Sequence, residues 1–597
     1  MTSDPIESYA PIGDGRTVAL VGRGGRIDWL PLPELTSTPV FARLLDDETG
    51  GYVELAPVEE HTVSRRYLPR TNVLETEFTT AGGRVTVTDA LVSGVAGRLP
   101  WAELARRIDG VEGSVRMTWA VRPGTSFHTG APWIEQTPHA AIIRCGHTAL
   151  AVVGDGHGPK PPEPDGPGGP VLAGEFETRP GTRHVLVLVS THREPLHLPD
   201  PLNVDVGIDR TVENWRHWSR VFSYDGPWAR HVQRSALVLK LLIYSPTGAI
   251  AAAATTSLPE NPRGGKNWDY RFAWVRDLAY TTEALVRFGL REETHAALSW
   301  MLRTIGEQGP ELHVMYTLQG DLVPAPQQYE VPGWNGIPPV VTGNPANRQL
   351  QLGVYGDLIA ICRTYVQAGN LLDPATARIL VDVADRTCDV WRNPDSGMWE
   401  LPEIAHYTSS KMGCWKALDD AAALADAGVI PGSADRWRAE RDRIRAWIDE
   451  HCWSEELGAY VAIAGGTDLD ASVLLHAPTG FDRGERMSRT IDAITAGLGA
   501  GALVYRYTGV EREEKTFVAC AFWRAHALAC VGRHDEALTL MDELVGMAND
   551  VGVYAEMIDE HDGSAWGNTP QALSHLAFIN AVLTIRELVP EEKLHGR

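Results

Sequence analysis

The stretch ALVRFGLREETHAAL, residues 284–298, ends an apolar helical pattern at Gly289 and opens the next pattern with acidic residues. Glycine adopts the left-handed conformation that closes a helix without steric cost. Acidic side chains interact favourably with the partial positive charge at the start of a helix. The stretch therefore predicts two consecutive helices joined by a short turn.

This arrangement recurs along the second half of the chain. It is found around Gly369, Gly428 and Gly532. The roughly 365 residues from 228 onward are enough for about a dozen helices of average length. Stacked helical hairpins form either a closed α/α toroid or an open solenoid, and repetition alone does not choose between them.

The chain before residue 225 has the period of β-strands. Residues 115–122 alternate apolar with polar or small side chains, and the apolar run HVLVLVS at 184–190 is typical of a buried strand. The Pro/Gly-dense segment 154–170 predicts a surface loop. We therefore predict a multidomain protein, with an antiparallel β-sandwich over residues 1–225 and an all-α domain over residues 228–597.

Composition narrows the classes of partner. A formal net charge of −23 repels phosphate backbones and anionic lipid, so we expect neither a nucleic-acid nor a membrane partner. Tryptophan is unusually frequent, with 19 Trp against 11 Phe. Indole rings offer a flat apolar face and one N–H donor, which suits sugar rings, although many of them will fill the core.

Cysteine usage and the N-terminal sequence predict a cytoplasmic protein. The seven cysteines form no CxxC pair and their number is odd, which is typical of reduced thiols. No secretory signal is visible at the N-terminus. The apolar stretch 237–254 is interrupted by Lys240, Pro246 and Gly248, so we expect no membrane span there.

Familiar metal, nucleophile and nucleotide motifs are absent from the sequence, and the Gly-rich string 22–26 predicts a hairpin turn. Aromatic, carboxylate-rich loops are present instead. In the first, NWDYRFAWVRD at 267–277, Arg276 and Asp277 provide donors and acceptors for sugar hydroxyls. A purely structural salt bridge is the alternative interpretation of this pair.

Two further loops supply candidate acid–base carboxyls. Glu400 directly follows Trp399, and a carboxyl against an indole has the environment that raises a pKa toward neutral, as a general acid requires. Glu403 competes for this role. Glu556 lies in a short apolar stretch, whereas Glu560 and its acidic neighbours fit a solvated loop. Two carboxyls are the minimum for glycoside hydrolysis.

Five segments together resemble glycoside hydrolase family 15, which contains glucoamylases, bacterial trehalases and related α-glucosidases. They are IGDGRTVALVGRGGRIDWLPLPEL, NWDYRFAWVRD, the GMWE to HYTSSKMGCWKALD block, KTFVACAFW and GNTPQALSHLAFINA, in order from near residue 12 to near residue 581. The resemblance implies an N-terminal β-sandwich and an (α/α)6 barrel. It also implies inversion at the anomeric carbon, with no metal and no cofactor.

By position, the resemblance implies that Glu400 is the general acid and Glu556 the general base. Their carboxyls should then be about 6.5–9.5 Å apart, which leaves room for the attacking water.

The same resemblance implies roles for the residues around them. Tyr270 would lie near the nucleophilic water, and Arg276 and Asp277 would hold the glucose that is cleaved. Trp399 and Trp415 would form walls of the pocket.

Departures from the family pattern leave the substrate open. The string WELPEIAHYT lacks an Arg common in bacterial relatives, Leu401 replaces a second Glu of fungal glucoamylases, and Lys515 replaces a common Gly. The main prediction is an exo-acting, glucoamylase-like α-glucosidase that releases glucose from short oligosaccharides or disaccharides. The alternative is α,α-trehalase. A non-catalytic carbohydrate-binding protein and a helical repeat protein are less favoured, and the oligomeric state stays open.

Overall fold

The computed structural model describes residues 3–95, 98–154, 169–222, 224–308, 312–595 and 597, and it has two domains. The strands of the first domain within these residues are β1 (Ala10–Gly13), β2 (Val18–Val21), β3 (Ile27–Pro31), β4 (Pro39–Phe41), β5 (Tyr52–Pro57), β6 (His61–Tyr67), β7 (Leu74–Thr80), β8 (Gly83–Leu91), β9 (Ala102–Gly113), β10 (Val115–Arg122), β11 (Trp133–Gln136), β12 (Ala141–Cys145), β13 (Thr148–Gly154), β14 (Leu172–Thr178) and β15 (Arg183–His192).

These strands form two antiparallel sheets that pack face to face. One has the order β1-β2-β3-β5-β10-β14, with β4 paired to β3, and the other the order β11-β12-β13-β15-β9-β8-β7-β6. Buried side chains such as Phe78, Leu104 and Trp119 fill the space between them. The predicted sandwich, the alternation along β10 and the continuous burial along β15 are confirmed. The predicted loop 154–170 falls largely outside the described residues.

A helix follows the last strand, where the sequence predicts strands up to about residue 225. This helix, α1 (Pro201–Val221), begins after Asp200, whose carboxylate accepts a hydrogen bond from the Leu202 N–H at 3.0 Å. Its buried face, including Val204 and Ile208, packs on the outer side of the larger sheet. An Asp cap followed by Pro at the first helical position is the signal for this helix start.

The second domain is the predicted (α/α)6 barrel. Its helices are α2 (Ala229–Leu242), α3 (Val275–Arg287), α4 (Arg291–Gln308), α5 (Gly353–Gln367), α6 (Pro374–Val390), α7 (Thr408–Asp426), α8 (Ala434–His451), α9 (Glu485–Leu498), α10 (Val518–Cys530), α11 (His534–Val545) and α12 (Ala572–Leu588). An inner ring of α3, α5, α7, the 3-10 helix Ala471–His476, α10 and α12 closes on itself, and the other helices pack outside it.

Short strands form ribbons in the loops between helices. They are β16 (Ala273–Trp274), β17 (Met315–Tyr316), β18 (Gln327–Tyr329), β19 (Val340–Thr342), β20 (Trp453–Ser454), β21 (Ala459–Tyr460), β22 (Gly499–Ala500), β23 (Leu503–Val504), β24 (Thr516–Phe517), β25 (Met557–Ile558) and β26 (Ala565–Trp566).

Four inner helices end as the sequence predicts. Gly289, Gly369, Gly428 and Gly532 all have φ between 69° and 88°, and each follows the last turn of α3, α5, α7 or α10. The left-handed backbone lets the chain reverse into the next outer helix. None of the helices in the described ranges is both long and apolar enough to span a bilayer.

One hydrophobic cluster contains residues of both domains, in addition to the core between the two sheets. Trp29 of β3 is fully buried among barrel residues, and its indole N–H donates to the Ala254 carbonyl at 3.0 Å. At the edge of the contact, Arg65 Nη2 lies 2.6 Å from Asp550 Oδ1. The sandwich therefore packs against the barrel as part of one folded body.

Candidate active site

A cavity of about 450 Å³ lies at the N-terminal ends of the inner helices. Arg276 and Asp277 stand in the first turn of α3, and Phe517 and Gln571 precede α10 and α12. Six predicted site residues line it: Tyr270, Arg276, Asp277, Trp399, Glu400 and Glu556. We call it the glutamate cavity. It gathers loops that are more than 280 residues apart in sequence, between Tyr270 and Glu556.

Glu400 is held in this cavity by a tryptophan, but not by its neighbour in sequence. Trp274 Nε1 donates to Glu400 Oε1 at 2.6 Å, whereas Trp399 Nε1 donates to Asp470 Oδ1 at 2.8 Å. Burial raises the pKa of Glu400, while the charge of Arg276 and the Trp274 hydrogen bond oppose that rise. A raised pKa keeps a carboxyl protonated, as a general acid requires.

The backbone of Glu400 adopts a conformation that is rare for a side chain with a Cβ. Its φ is 60°, in the left-handed region. The Glu400 carbonyl accepts a hydrogen bond from Gln349 Nε2 at 2.9 Å, which fixes this turn. Such strain concentrates at functional sites, because surrounding structure must hold it in place.

Glu556 is fully buried and has one oxygen without a protein partner. Its Oε2 accepts a hydrogen bond from the Asn568 N–H at 2.7 Å, and its Oε1 accepts none. Burial raises the pKa of Glu556 well above its ordinary value, and the charge of Glu260 raises it further. The Asn568 N–H and Arg506 act in the opposite direction. The free oxygen is available to accept a proton from a water molecule.

Arg276 and Asp277 also carry unsatisfied polar atoms. Arg276 Nη1 donates to the Met398 carbonyl at 2.9 Å, and Arg276 Nη2 lies 3.4 Å from Asp277 Oδ2. Arg276 Nε and Asp277 Oδ2 have no hydrogen-bond partner. Buried polar atoms are nearly always paired, so unpaired ones that cluster in a cavity mark places for ligand groups. The chemistry of these atoms suits hydroxyl groups.

The rest of the first aromatic loop is structural. Asp269 and Arg271 form a fully buried ion pair, with Arg271 Nη2 2.8 Å from Asp269 Oδ2. Arg271 also donates to the Ser37 carbonyl of the first domain at 2.8 Å. Asp269 and Arg271 are thus a structural salt bridge, whereas the salt-bridge alternative concerns Arg276 and Asp277, which also contact each other but line the glutamate cavity. Tyr270, between them, turns into the glutamate cavity and donates to Glu260 Oε1 at 3.3 Å.

Trp415 does not reach the glutamate cavity, contrary to the wall position that the resemblance implies. It lies in α7, seven residues past the start of the helix, or about 10 Å along its axis. Its ring packs nearly perpendicular to that of Phe481, with centroids 5.2 Å apart, and lines a different cavity. We therefore leave Trp415 out of the site.

Beside Glu556 lies a buried network of charged residues that the sequence does not predict. Arg506 Nη2 donates to Glu260 Oε2 at 2.9 Å, and Arg506 Nε donates to Glu514 Oε2 at 2.6 Å. Lys266 pairs with Glu514 from the other side. Burial raises the pKa of Glu260 to about 7. The positions of Glu260, just before the NWDYRFAWVRD segment, and Glu514, just before KTFVACAFW, are the sequence signal for this network.

The competing carboxyls lie elsewhere. Glu403 is exposed, and Glu560 accepts a hydrogen bond from the Tyr505 hydroxyl. Among the described residues, Asp559, Glu560 and His561 have possible metal-ligand atoms within 4.8 Å of one another. Asp559 already pairs with Lys515 Nζ at 2.7 Å, so we assign no metal to this group.

Comparison with known proteins gives matches along the whole chain. The model of glycosyl hydrolases family 15 matches residues 226–534, and that of the trehalase-like N-terminal domain matches residues 1–139. A trehalase of Mycobacterium tuberculosis is 34% identical, over 97% of this chain and 89% of the relative. A trehalase of Thermoplasma volcanium is 30% identical, over 98% of this chain and 94% of the relative.

Solved structures share the fold. A bacterial glucoamylase, solved in complex with acarbose, aligns with a TM-score of 0.73 and 13% sequence identity. The alignment covers 100% of this chain and 97% of the glucoamylase. At this identity the likeness concerns the arrangement of the two domains and not the substrate.

Proposed function

Because the chain belongs to glycosyl hydrolases family 15 and is a glycoside hydrolase, we propose that it hydrolyses α,α-trehalose with inversion at one anomeric carbon. The observation that carries this proposal is the glutamate cavity, where Glu400 and Glu556 lie with the Arg276–Asp277 ion pair and with Arg276 Nε, which has no partner. Two carboxyls beside a set of free donors and acceptors are what cleavage of a glycosidic bond requires.

In the proposed reaction, protonated Glu400 donates its proton to the glycosidic oxygen as the bond from that oxygen to the anomeric carbon breaks. Ionised Glu556 accepts a proton from a water molecule, whose oxygen bonds to the same carbon from the opposite face. One glucose leaves in the β form and the other keeps its α form. The carboxyls should be about 6.5–9.5 Å apart to accommodate that water.

The sugar to be attacked is held by the α3 end of the cavity in this proposal. Arg276 Nε and Asp277 Oδ2 supply a donor and an acceptor to its hydroxyls, and Trp399 supplies an aromatic wall. Burial raises the pKa of the Tyr270 phenol, and the charges of Glu260, Glu556 and Glu400 raise it further. Tyr270 therefore stays neutral, and because its O–H points to Glu260, its oxygen can accept a hydrogen bond from the attacking water.

The choice of trehalose rests on the relatives. Curated trehalases match nearly the whole chain at 30–34% identity. The glucoamylase-like prediction, with short α-glucans as substrate, is supported by likeness of fold to a glucoamylase. It becomes the alternative to trehalose hydrolysis. Leu401 and Pro402 line the glutamate cavity next to the acid, so the departures from the family pattern lie where a leaving sugar would contact the protein.

Proton NMR of early reaction products tests the proposal. Purified protein is incubated separately with trehalose, maltose, isomaltose and maltotriose, and the anomers of glucose are followed before they mutarotate. We expect trehalose to be the preferred substrate, with α- and β-glucose released in equal amounts. Two α-glucose molecules per trehalose would contradict inversion. Preference for maltose or isomaltose would support the glucoamylase-like alternative.

A further inference from the structure

A second and larger cavity, of about 740 Å³, lies at the opposite end of the inner helix ring. Its lining runs along α3, α5 and α12 as far as their C-terminal ends, and it includes the middle of α7 and of α10. Exposed residues Gln367, Gly480 and Glu587 stand at its mouth. This far cavity therefore opens to solvent on the side of the barrel that is away from Glu400 and Glu556.

The far cavity contains buried polar atoms that have no partner. Asp420 is fully buried, and its Oδ1 accepts a hydrogen bond from Lys416 Nζ at 2.7 Å while its Oδ2 accepts none. His476 Nε2 lies 3.0 Å from Ser409 Oγ, but His476 Nδ1 is unpartnered, as is Asn580 Oδ1. Buried polar atoms are nearly always paired, so these atoms are available to form hydrogen bonds with the groups of a ligand.

The charge of the lining favours a neutral ligand over an ion. Counted over the described residues, five carboxylates and four Arg or Lys side chains line the far cavity. Burial lowers the pKa of His476 and of His526 to about 3, so both imidazoles are neutral. Trp415 and Trp523 add apolar faces. Indole rings together with planar polar groups are the chemistry of sugar recognition.

We propose that the far cavity is a second, non-catalytic binding site for a neutral, hydroxyl-rich molecule of one or two sugar rings. The binding claim is independent of which α-glucoside the glutamate cavity cleaves.

The two cavities are separated by a thin layer of side chains. A small gap of about 40 Å³ lies between them, and Arg276, Asp357 and His476 line it. Trp523 lines the far cavity and packs behind Trp399, with ring centroids 5.8 Å apart. A sugar in the far cavity would contact Trp523, which packs on Trp399, and it would contact Asp357 and His476, which line the gap beside Arg276. Its occupancy should therefore alter catalysis without competing for the glutamate cavity.

Equilibrium dialysis of the full chain against radiolabelled glucose tests the site directly. We expect the wild-type chain to bind one glucose molecule more than the Asn580→Leu chain, and the Asp277→Asn chain to keep the glucose of the far cavity. The Asn580→Leu variant keeps the size of the side chain but removes the unpaired amide oxygen. Equal numbers of glucose molecules on the wild-type and Asn580→Leu chains would overturn the proposal. Displacement by sulfate of the glucose that is lost in Asn580→Leu would instead indicate an anion site and also overturn it.

Inhibition kinetics provide a second and independent measurement. We expect added glucose to inhibit hydrolysis with a non-competitive component, and Asn580→Leu to leave only the competitive part with kcat within twofold of wild type. Purely competitive inhibition by glucose in the wild type would contradict the link between the cavities. If trehalose is not hydrolysed at all, the dialysis result still decides whether the second site exists.

Discussion

Glu400 and Glu403 are glutamates of one loop with opposite surroundings, since the first is held by Trp274 in the glutamate cavity and the second is exposed. Glu400→Gln keeps the shape of the side chain but removes the transferable proton. We expect kcat to fall by about 10²–10⁴, the usual contribution of a general acid. Glu403→Gln is the matched control and should keep wild-type kcat. Both are measured as initial rates of glucose release, and equal rates for the two variants would exclude Glu400 as the acid.

Burial of Glu556 and, after it, the charge of Glu260 place the acid limb of the pH profile. Glu556 must be ionised to accept a proton, so activity falls as the pH drops through its pKa, and the negative charge of Glu260 raises that pKa. The other charged side chains of this network are those of Arg506, Glu514 and Lys266, and the substitution of Glu260 leaves these residues unchanged. Glu260→Gln should therefore move the acid limb of kcat/KM to lower pH.

The matched control for that shift is Glu511→Gln, which removes an exposed carboxylate from the segment that precedes Glu514. We expect its pH profile to coincide with that of the wild type. If Glu260→Gln instead lowers kcat/KM at every pH and leaves the acid limb at the same pH, then Glu260 acts only through packing.

The sequence predicts those site residues that belong to a family motif. It does not predict residues whose role depends on a contact that forms only when the chain folds. Glu400 and Glu556 were separated from Glu403 and Glu560 by position in a motif, and the structure brings the first two into one cavity. Arg506 lies about 240 residues after Glu260 in sequence, so nothing local links the two. Their contact follows only from the closure of the helix ring.

Two glycines of the loop around β26 allow a test of how the general base is positioned. Gly563 and Gly567 have the same φ of 75°, so alanine at either costs about 1–2 kcal/mol in backbone strain. Around Gly563 nothing lies within 4 Å of an added Cβ, whereas at Gly567 it would lie 2.4 Å from Glu556 Oε2. We expect Gly563→Ala to lose stability but keep kcat.

For Gly567→Ala we expect a larger loss of stability, because the added Cβ also collides with Glu556. We also expect kcat to fall by about 10²-fold, because displacement of a reacting group by about 1 Å has that effect. Chemical denaturation and initial rates measure the two quantities. If both variants keep wild-type kcat, the loop does not fix the position of Glu556.

Helices are predictable where a residue type in the sequence marks one of their ends. The ends of α3, α5, α7 and α10 are predictable from their glycines, because each helix end needs a residue in the left-handed conformation at a fixed place. The 3-10 helix Ala471–His476, which takes the fourth place in the inner ring, has no such signal. It is held by Asp470, which accepts both the Ser472 N–H at 2.7 Å and the distant Trp399 indole.

At the scale of the whole molecule, the hydrophobic cluster that contains residues of both domains predicts that sandwich and barrel unfold together. Trp29 lies in the sandwich but is buried against the barrel, and Arg271 of the barrel stands over its ring at 5.9 Å. Truncation of a buried tryptophan costs about 3–5 kcal/mol. We therefore expect Trp29→Ala to lower the midpoint of a single calorimetric transition and to leave no separate barrel transition behind.

Trp133 provides the control for this prediction, because it belongs to the same domain on β11 but is 54% exposed. Trp133→Ala should leave the transition within the error of the wild type. Two resolved transitions in Trp29→Ala, with loss of stability confined to the first, would show that the domains fold independently. Retention of one transition would mean that the glutamate cavity depends for its stability on the sandwich, although the described residues that line this cavity all belong to the barrel.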